Sequence, residues 1–330
     1  MIWEEDTFRT IVALAALAPS VHNIQPARFR FTPTGIELFE DRRRGLRIGD
    51  PHGADSLKSL GAAAEGCALA ASALGLRTEI SRPSQSDDFP LRCVAQLHFA
   101  PGGHADPLQD WTHKRASWRG MLETSDESES ALTRLEETLP DVRLVRDRHG
   151  KRMIAEFYDD VSLEVLRGRA YRLELLSWMR LHRTHPDFAR DGLNADAMSL
   201  SEFEARAAAI VLSDPAFVGL DFIGLAAPLI SEQKKVESAA AIALFHCAED
   251  EPPFQTGRRF YRLWLELEQA GLAACPMSVL ADVPTAAHRL MRDFSVPGAR
   301  TLVSALRIGK RPAGAGFARA RLPLDELIIT

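Results

Sequence analysis

Residues 55–76 read DSLKSLGAAAEGCALAASALGL. This long Ala- and Leu-rich run has the apolar spacing of a helix, and Gly75 supplies the stop signal after it. A second stretch echoes the first. Residues 256–270 have the pattern of an amphipathic helix, with Tyr261, Leu265 and Glu266, and they close on Ala270-Gly271-Leu272. Two long helices with the same Gly-Leu ending, each leading toward a strand, point to two diverged copies of one unit.

The rest of the chain is read outward from this pair. Residues 6–17 place Phe8, Ile11, Val12, Ala15 and Leu17 near helical spacing, and Pro19 stops that helix. Residues 28–32 and 36–41 read as two short strands joined through Thr34-Gly35, a hairpin pattern. Residues 91–99 read as a strand. Pro101-Gly102-Gly103 then opens a polar stretch to about Trp111, which marks a boundary. Beyond it the pattern predicts a helix over 128–139, a strand over 142–145 and a helical run over 151–181. Helices over 201–212 and 217–236 follow, then a buried strand over 239–247, the helix over 256–270 and a strand over 302–309. The expected division is a truncated first unit at 1–105 and a second, more complete unit at 106–330.

Composition narrows the class. Of 330 residues, 46% are hydrophobic and 26% charged, which excludes a mostly disordered or collagen-like chain. Forty Lys and Arg against 45 Asp and Glu give a net charge of -5, which argues against a dedicated nucleic-acid partner. Cys67, Cys93, Cys247 and Cys275 form no CxxC pair, so reduced, buried thiols are expected. The opening Met-Ile-Trp-Glu-Glu-Asp lacks the basic start and apolar run of a signal peptide. The longest apolar stretch, 217–230, contains Asp221 and is shorter than the roughly 18 residues a span needs. The expectation is a cytoplasmic chain with no membrane partner.

Four segments could carry chemistry. Ala18-Pro19-Ser20-Val21-His22-Asn23-Ile24-Gln25-Pro26 follows a helix and precedes a strand. It is suited to an ordered loop whose amides hold a flat polar ligand, or to an ordinary turn at a helix end. Arg115, Ser117 and Arg119 stand at alternate positions, so an extended backbone turns two guanidinium forks and a hydroxyl to one side. That is a phosphate-sized set of donors, or else a solvated basic run. Arg319 and Arg321 repeat the alternation in a Gly-rich tail, where a surface segment is the plainer reading. Gly271-Leu272-Ala273-Ala274-Cys275-Pro276-Met277-Ser278 offers backbone amides to a heterocycle at a crossover from helix to strand. His182 and His185 lack companion ligands for a metal. There is no Walker loop, HExxH or GxSxG, and Gly314-x-Gly316 has neither the strand before it nor the helix after it that a dinucleotide fingerprint needs.

Together, and in order, these segments resemble the nitroreductase-like flavoprotein superfamily, and most closely its tandem, Acg-like branch. Residues 18–26 look like its APSxxNxQPW segment, residues 115–119 like its RxSxR segment, and residues 319–324 like its closing basic motif. Asp50-Pro51 followed by Leu60-Gly61-Ala62-Ala63 is similar to the tandem branch, and Pro276-Met277-Ser278 falls where the family lays backbone against the isoalloxazine. The resemblance implies an α+β nitroreductase-like fold, with two fused units forming a pseudo-dimer of antiparallel-type sheets flanked by helices. It implies at most one FMN per chain, since only the first half carries the APSxxN loop and only the second the arginines. Fusion permits a monomer or a homodimer.

The resemblance also assigns roles. Arg115, Arg119, Arg319 and Arg321 would neutralise the FMN phosphate, with a hydrogen bond from Ser117. Ser20 and Asn23, behind Pro19, would reach the flavin from the other half, and the backbone of Pro276, Met277 and Ser278 would face the ring near N5. No catalytic side chain is required, because the flavin carries the chemistry. The implied activity is NAD(P)H-dependent reduction of FMN and electron transfer to a nitroaromatic, quinone or similar small acceptor. The sequence departs from the family at Ala27, where a Trp is usual, and at Ser278, where an acidic residue sometimes stands. Residues 182–204 have no counterpart in simple members. As a lid over the site they would make the chain a flavin-binding or flavin-sequestering protein without turnover.

Overall fold

The computed structural model describes residues 3–83, 87–316 and 319–329. Met1 and Ile2 of the N-terminal reading lie outside the described residues. The first half contributes helix α1 (Glu5–Ala15), the hairpin β1 (Ala27–Thr32) and β2 (Gly35–Asp41), the long α2 (Ala54–Ala73), and β3 (Leu76–Ser81), β4 (Asp87–Asp88) and β5 (Leu91–Pro101). The second half runs α3 (Asp126–Thr138), β6 (Val142–Val145), α4 (Arg148–Arg167), α5 (Arg169–Trp178), β7 (Met179–Arg180) and β8 (Leu193–Asn194). It continues through α6 (Glu202–Val211), α7 (Ala216–Phe222), α8 (Ala226–Ile230), α9 (Gln233–Glu237) and β9 (Ala241–Ala248) to the long α10 (Pro253–Gln269). β10 (Ala273–Pro276), α11 (Val279–Asp282), α12 (Pro284–Asp293), β11 (Arg300–Gly309), α13 (Leu324–Leu327) and β12 (Ile328–Ile329) complete it.

Two sheets organise these elements, and they share one topology. The first has the order β12-β1-β2-β5-β3, and the second reads β6-β9-β11-β10 from the matching edge. Without β12, each sheet takes its main strands in the order first, second, fourth, third, with antiparallel neighbours. Each has its long helix between the second and third strand. The architecture is therefore α+β. The last strand breaks the separation, because β12 pairs parallel with β1 through Phe29 and Ile328. The C-terminal tail thus returns to the first sheet.

Burial explains the strand patterns. In β5 buried and less buried residues alternate, because the first sheet packs α1 and α2 on one face only. β9 is buried along nearly its whole length, because α3 and α10 cover one face of the second sheet and α4, α9, α11 and α12 cover the other. Each fully buried Leu, Ile or Phe of these cores contributes roughly 1.5–3 kcal/mol.

Two sequence expectations are corrected. The helical run over 151–181 is two helices, α4 and α5, with Gly168 between them in an extended conformation, and it ends at Trp178. The helix expected over 217–236 is three short ones. Gly224 adopts a φ of 75° after α7, and Ser231 is extended after α8. The apolar run continues past both breaks, so its pattern does not mark them.

The long helices α2 and α10 cross at glycines. A Cβ on Gly61 would lie 1.9 Å from the Phe254 carbonyl oxygen, and one on Gly257 would lie 1.9 Å from that of Lys58. Gly61 and Gly257 stand equally far ahead of the closing Gly75 and Gly271, and Lys58 and Phe254 each stand three residues before their glycine. The contact is thus reciprocal about a local two-fold. Around it Ala18, Ala62, Leu69, Leu108, Tyr261 and Leu265 form a separate buried cluster. Either Gly61→Ala or Gly257→Ala forces backbone apart and is expected to cost about 3 kcal/mol, read as a lower urea midpoint with the slope unchanged.

Candidate functional site

Beside this crossing lies a cleft of about 200 Å³ lined from both halves of the chain. From the first half come residues 19–23 and the Asp55, Lys58, Ser59 and Ala62 face of α2. From the second come Arg115, Ser117 and Arg119, the α10 aromatics Phe260 and Trp264, Pro276, Ser278 and Asp282, Ser304 on β11, and Arg319 and Arg321 of the tail.

The loop after α1 is held against its own conformational preference. His22, Asn23 and Gln25 have φ of 43°, 55° and 50°, a left-handed region that costs non-glycine residues energy. Hydrogen bonds compensate. The Val21 amide donates to Ser59 Oγ at 3.0 Å, and the Gln25 amide to Ser20 Oγ at 3.0 Å. The Gln25 side chain donates to the Arg190 carbonyl at 2.8 Å and accepts from the Leu322 amide at 2.9 Å. Asn23 donates to the Gly192 and Ala320 carbonyls and accepts from Arg321. It lines the cleft, but its amide staples the loop to two other segments.

One end of the cleft is strongly basic. Arg115 is 3% exposed, lies over the Trp264 ring at 4.8 Å and donates to the Leu17 carbonyl. Among the described residues its Nε has no partner, and neither do the buried Trp264 Nε1 and Tyr261 hydroxyl nearby. Burial pulls the Arg115 pKa down to about 10, with Arg319 adding repulsion. Arg321 is pulled down to about 9 by burial and then by Arg115 and Arg319. No carboxylate pairs with Arg115 or Arg321 among the described residues. Arg321 has its five donors taken. Nε reaches the Ala16 carbonyl, Nη2 those of Leu17 and Ala18, and Nη1 Asn23 Oδ1 and the Ala320 carbonyl. It caps the C-terminal carbonyls beyond α1 and offers the cleft charge rather than hydrogen bonds.

The other end carries carboxylates. Lys58 on α2 pairs with Asp55 at 2.7 Å, and Asp282 closes α11 across from them. His22 lies between the two ends. Burial, and then repulsion from Arg119, pulls its pKa down to about 4.

The segment over 182–204 forms one wall through Gly192, Leu193 and Ala197. Asp191, buried, is bridged by Arg180 at 2.7 Å and by Arg44. Arg119 reaches the Ala197 carbonyl at 3.3 Å, and the Arg321 amide reaches that of Ala189 at 3.2 Å. Among the described residues no cluster of His, Cys, Asp and Glu could hold a metal, and His182 and His185 make only local contacts with Thr184 and Asp187.

Ten of the eleven site residues expected from sequence line this cleft, and Met277 does not. Its amide donates to the Ala305 carbonyl at 2.7 Å and its side chain is buried among α11 and α12. A strand partner displaces it from the role expected. The next amide, that of Ser278, has no partner among the described residues. Sequence reading missed Asp55, Lys58, Trp264 and Asp282. On helices they look like surface charge and apolar stripe. The crossing of α2 and α10 turns Asp55, Lys58 and Trp264 inward, and α11 adds Asp282.

No family's sequence profile matches the chain. It is 40% identical over 99 residues to a Mycobacterium tuberculosis protein provisionally named NAD(P)H nitroreductase Rv3131. It is 33% identical over 97 residues to the one provisionally named acg. These matches cover 30% and 29% of this chain, and 29% and 28% of those proteins, so the chain aligns with less than a third of each relative's length. Solved structures found similar include the FMN-dependent nitroreductase NfnB of Mycobacterium smegmatis in complex with NADPH. It has 16% identity, a TM-score of 0.38, and coverage of 66% of this chain and 95% of that one. Another is a nitroreductase-like protein of Anabaena variabilis, with 12% identity, a TM-score of 0.38, and coverage of 94% and 74%.

His22 is held neutral, so the folded chain binds fewer protons there than the unfolded chain. The His22 ring resonances are expected to titrate near pH 4 rather than 6.5. Folding stability from this group is full above pH 6.5 and declines as pH falls toward 4.

Proposed function

We propose that the cleft binds one FMN and that the chain is an FMN-dependent NAD(P)H oxidoreductase acting on a nitroaromatic, quinone or similar small acceptor. The observation that carries this reading is Arg115, a guanidinium 3% exposed at one end of a cleft lined with aromatics, which among the described residues pairs with no carboxylate and has an unpartnered Nε. A buried cation of this kind is costly unless an anion joins it.

The residues present fit FMN. Arg115, Arg319, Arg119 and Ser117 hold the phosphate, while Arg321 contributes its charge from behind. Trp264 and Phe260 supply apolar surface. Of the Pro276–Ser278 backbone expected at the ring edge, the Ser278 amide is the donor for it. When bound, FMN supplies hydride acceptance from a nicotinamide and donation to the acceptor. The protein's part is to orient the ring, neutralise the phosphate and exclude bulk water.

The same reading treats the chain as two fused units, near 1–105 and 106–330, meeting at the Gly61–Gly257 contact. The fused interface lets a monomer build the site. Four buried free thiols support a reducing, cytoplasmic setting. A second reading, flavin held without turnover, is favoured by the wall over 182–204, which lines the cleft and is hydrogen-bonded to the loop after α1.

Charge-assisted hydrogen bonds contribute about 1.5–3 kcal/mol each. The Arg115→Ala/Arg319→Ala double variant is therefore expected to bind FMN at least ~100-fold more weakly, measured by quenching of flavin fluorescence. Full retention by a folded double variant overturns the site. Anaerobic NADPH or NADH that bleaches the bound flavin supports turnover, and flavin that stays yellow supports the second reading.

A further inference from the structure

Away from the cleft, helices α6, α7 and α8 each bury a single one of their described residues: Ala205, Phe217 and Ala226. Large apolar side chains on all three face solvent. On α6, Phe203 is 80% exposed, and Ile210, seven residues on, shares its side of the helix. On α7, Val218 and Phe222 stand one turn apart, and Phe222 is 91% exposed. Leu225, just before α8, and Leu229 on it extend the same surface. α7 packs against both α6 and α8, so the exposed faces adjoin.

Single exposed apolar residues are ordinary, but these six are clustered. Together they present roughly 700 Å², taking a large aromatic side chain as ~150–250 Å². The largest apolar patch on a typical monomer is ~300–600 Å², whereas each partner in a stable complex covers about 800 Å². The face therefore has the area of one side of a dimer.

Charge narrows the occupant. Over 201–230 the chain has one basic residue, Arg206, against Glu202, Glu204, Asp214 and Asp221. A face that binds an anionic membrane is rich in Lys and Arg, and this one is not. Its rim carries both signs instead. Glu202 and Arg206, one turn apart and exposed, flank the apolar stripe of α6, and on α7 Asp221 is held by Arg167 at 2.9 Å. A rim of mixed sign suits a second copy turned through a two-fold, because each patch then meets its own reverse. Interfaces between like chains are also the more apolar class.

We propose that two copies of the chain meet face to face through α6, α7 and α8. This contact is separate from the α2–α10 crossing, which joins the two halves within one chain. It leaves each cleft to its own chain, since none of the six residues lines it.

Sedimentation velocity of the purified full chain tests this at about 10 µM, above the micromolar limit for interfaces of this size. A species of twice 36.4 kDa is expected. Phe222→Glu is expected to weaken the association at least ~30-fold. Phe203→Glu does the same from a different helix, and reads the contact if the first variant fails to fold by circular dichroism. Phe89→Glu, at a Phe 78% exposed between β4 and β5, leaves the dimer intact. Amide exchange over 216–230 in the wild type slows as its concentration rises. Wild type that stays monomeric overturns the proposal, including wild type that stays monomeric and binds vesicles of phosphatidylcholine and phosphatidylglycerol. A dimer that a folded Phe222→Glu chain still forms, or that Phe89→Glu disrupts equally, also overturns it, because the contact then lies on another face.

Discussion

The glycine contact between α2 and α10 is the constraint on which the rest of the structure depends. Two backbones approach so closely at Gly61 and Gly257 that no Cβ fits on either side. This closeness turns the next faces of the same helices into opposite walls of one cleft, with Asp55, Lys58 and Ala62 from one and Phe260 and Trp264 from the other. The two sheets with their shared strand order are scaffolds that hold these helices. The tail then crosses back to pair β12 with β1, carrying Arg319 and Arg321 past the end of α1.

That return path gives the cleft its polarity. The C-terminal carbonyls beyond α1 attract Arg321 and Arg115, and this brings two buried guanidinium groups together with Arg319 where, among the described residues, no carboxylate balances Arg115 or Arg321. Their mutual repulsion is held in place by the loop with three left-handed non-glycine residues, which is itself fixed by Asn23 and Gln25 to the tail and to the wall over 182–204. Charge, backbone strain and connectivity therefore converge on one place. The carboxylates at the far end are a separate construction, made by α2 and α11.

Much of this was legible in the sequence, for physical reasons. The paired helices could be read because a helix that ends in Gly-Leu leaves a local trace, and Gly61 and Gly257 preserve it at the same offset. The arginines could be read because alternate spacing in an extended chain is a short-range rule. The helices over 151–181 and 217–236 were misjudged because Gly168 and Gly224 break them with little change in apolar pattern. Met277 was misplaced because its amide is claimed by Ala305, a partner distant in sequence. Lys58 and Asp282 carried no motif at all. They share one cleft only because α2 and α11, more than two hundred positions apart, both line it.

The measurement that tests the account most directly is a titration of FMN into the purified, flavin-free chain, followed by flavin fluorescence, with inorganic phosphate as competitor. One FMN per chain, displaced by phosphate, is the result that a single cleft anchored by buried arginines predicts. Two FMN per chain would place a second site where the structure builds none among its described residues. No binding, or binding indifferent to phosphate, would contradict the assignment of the basic end of the cleft.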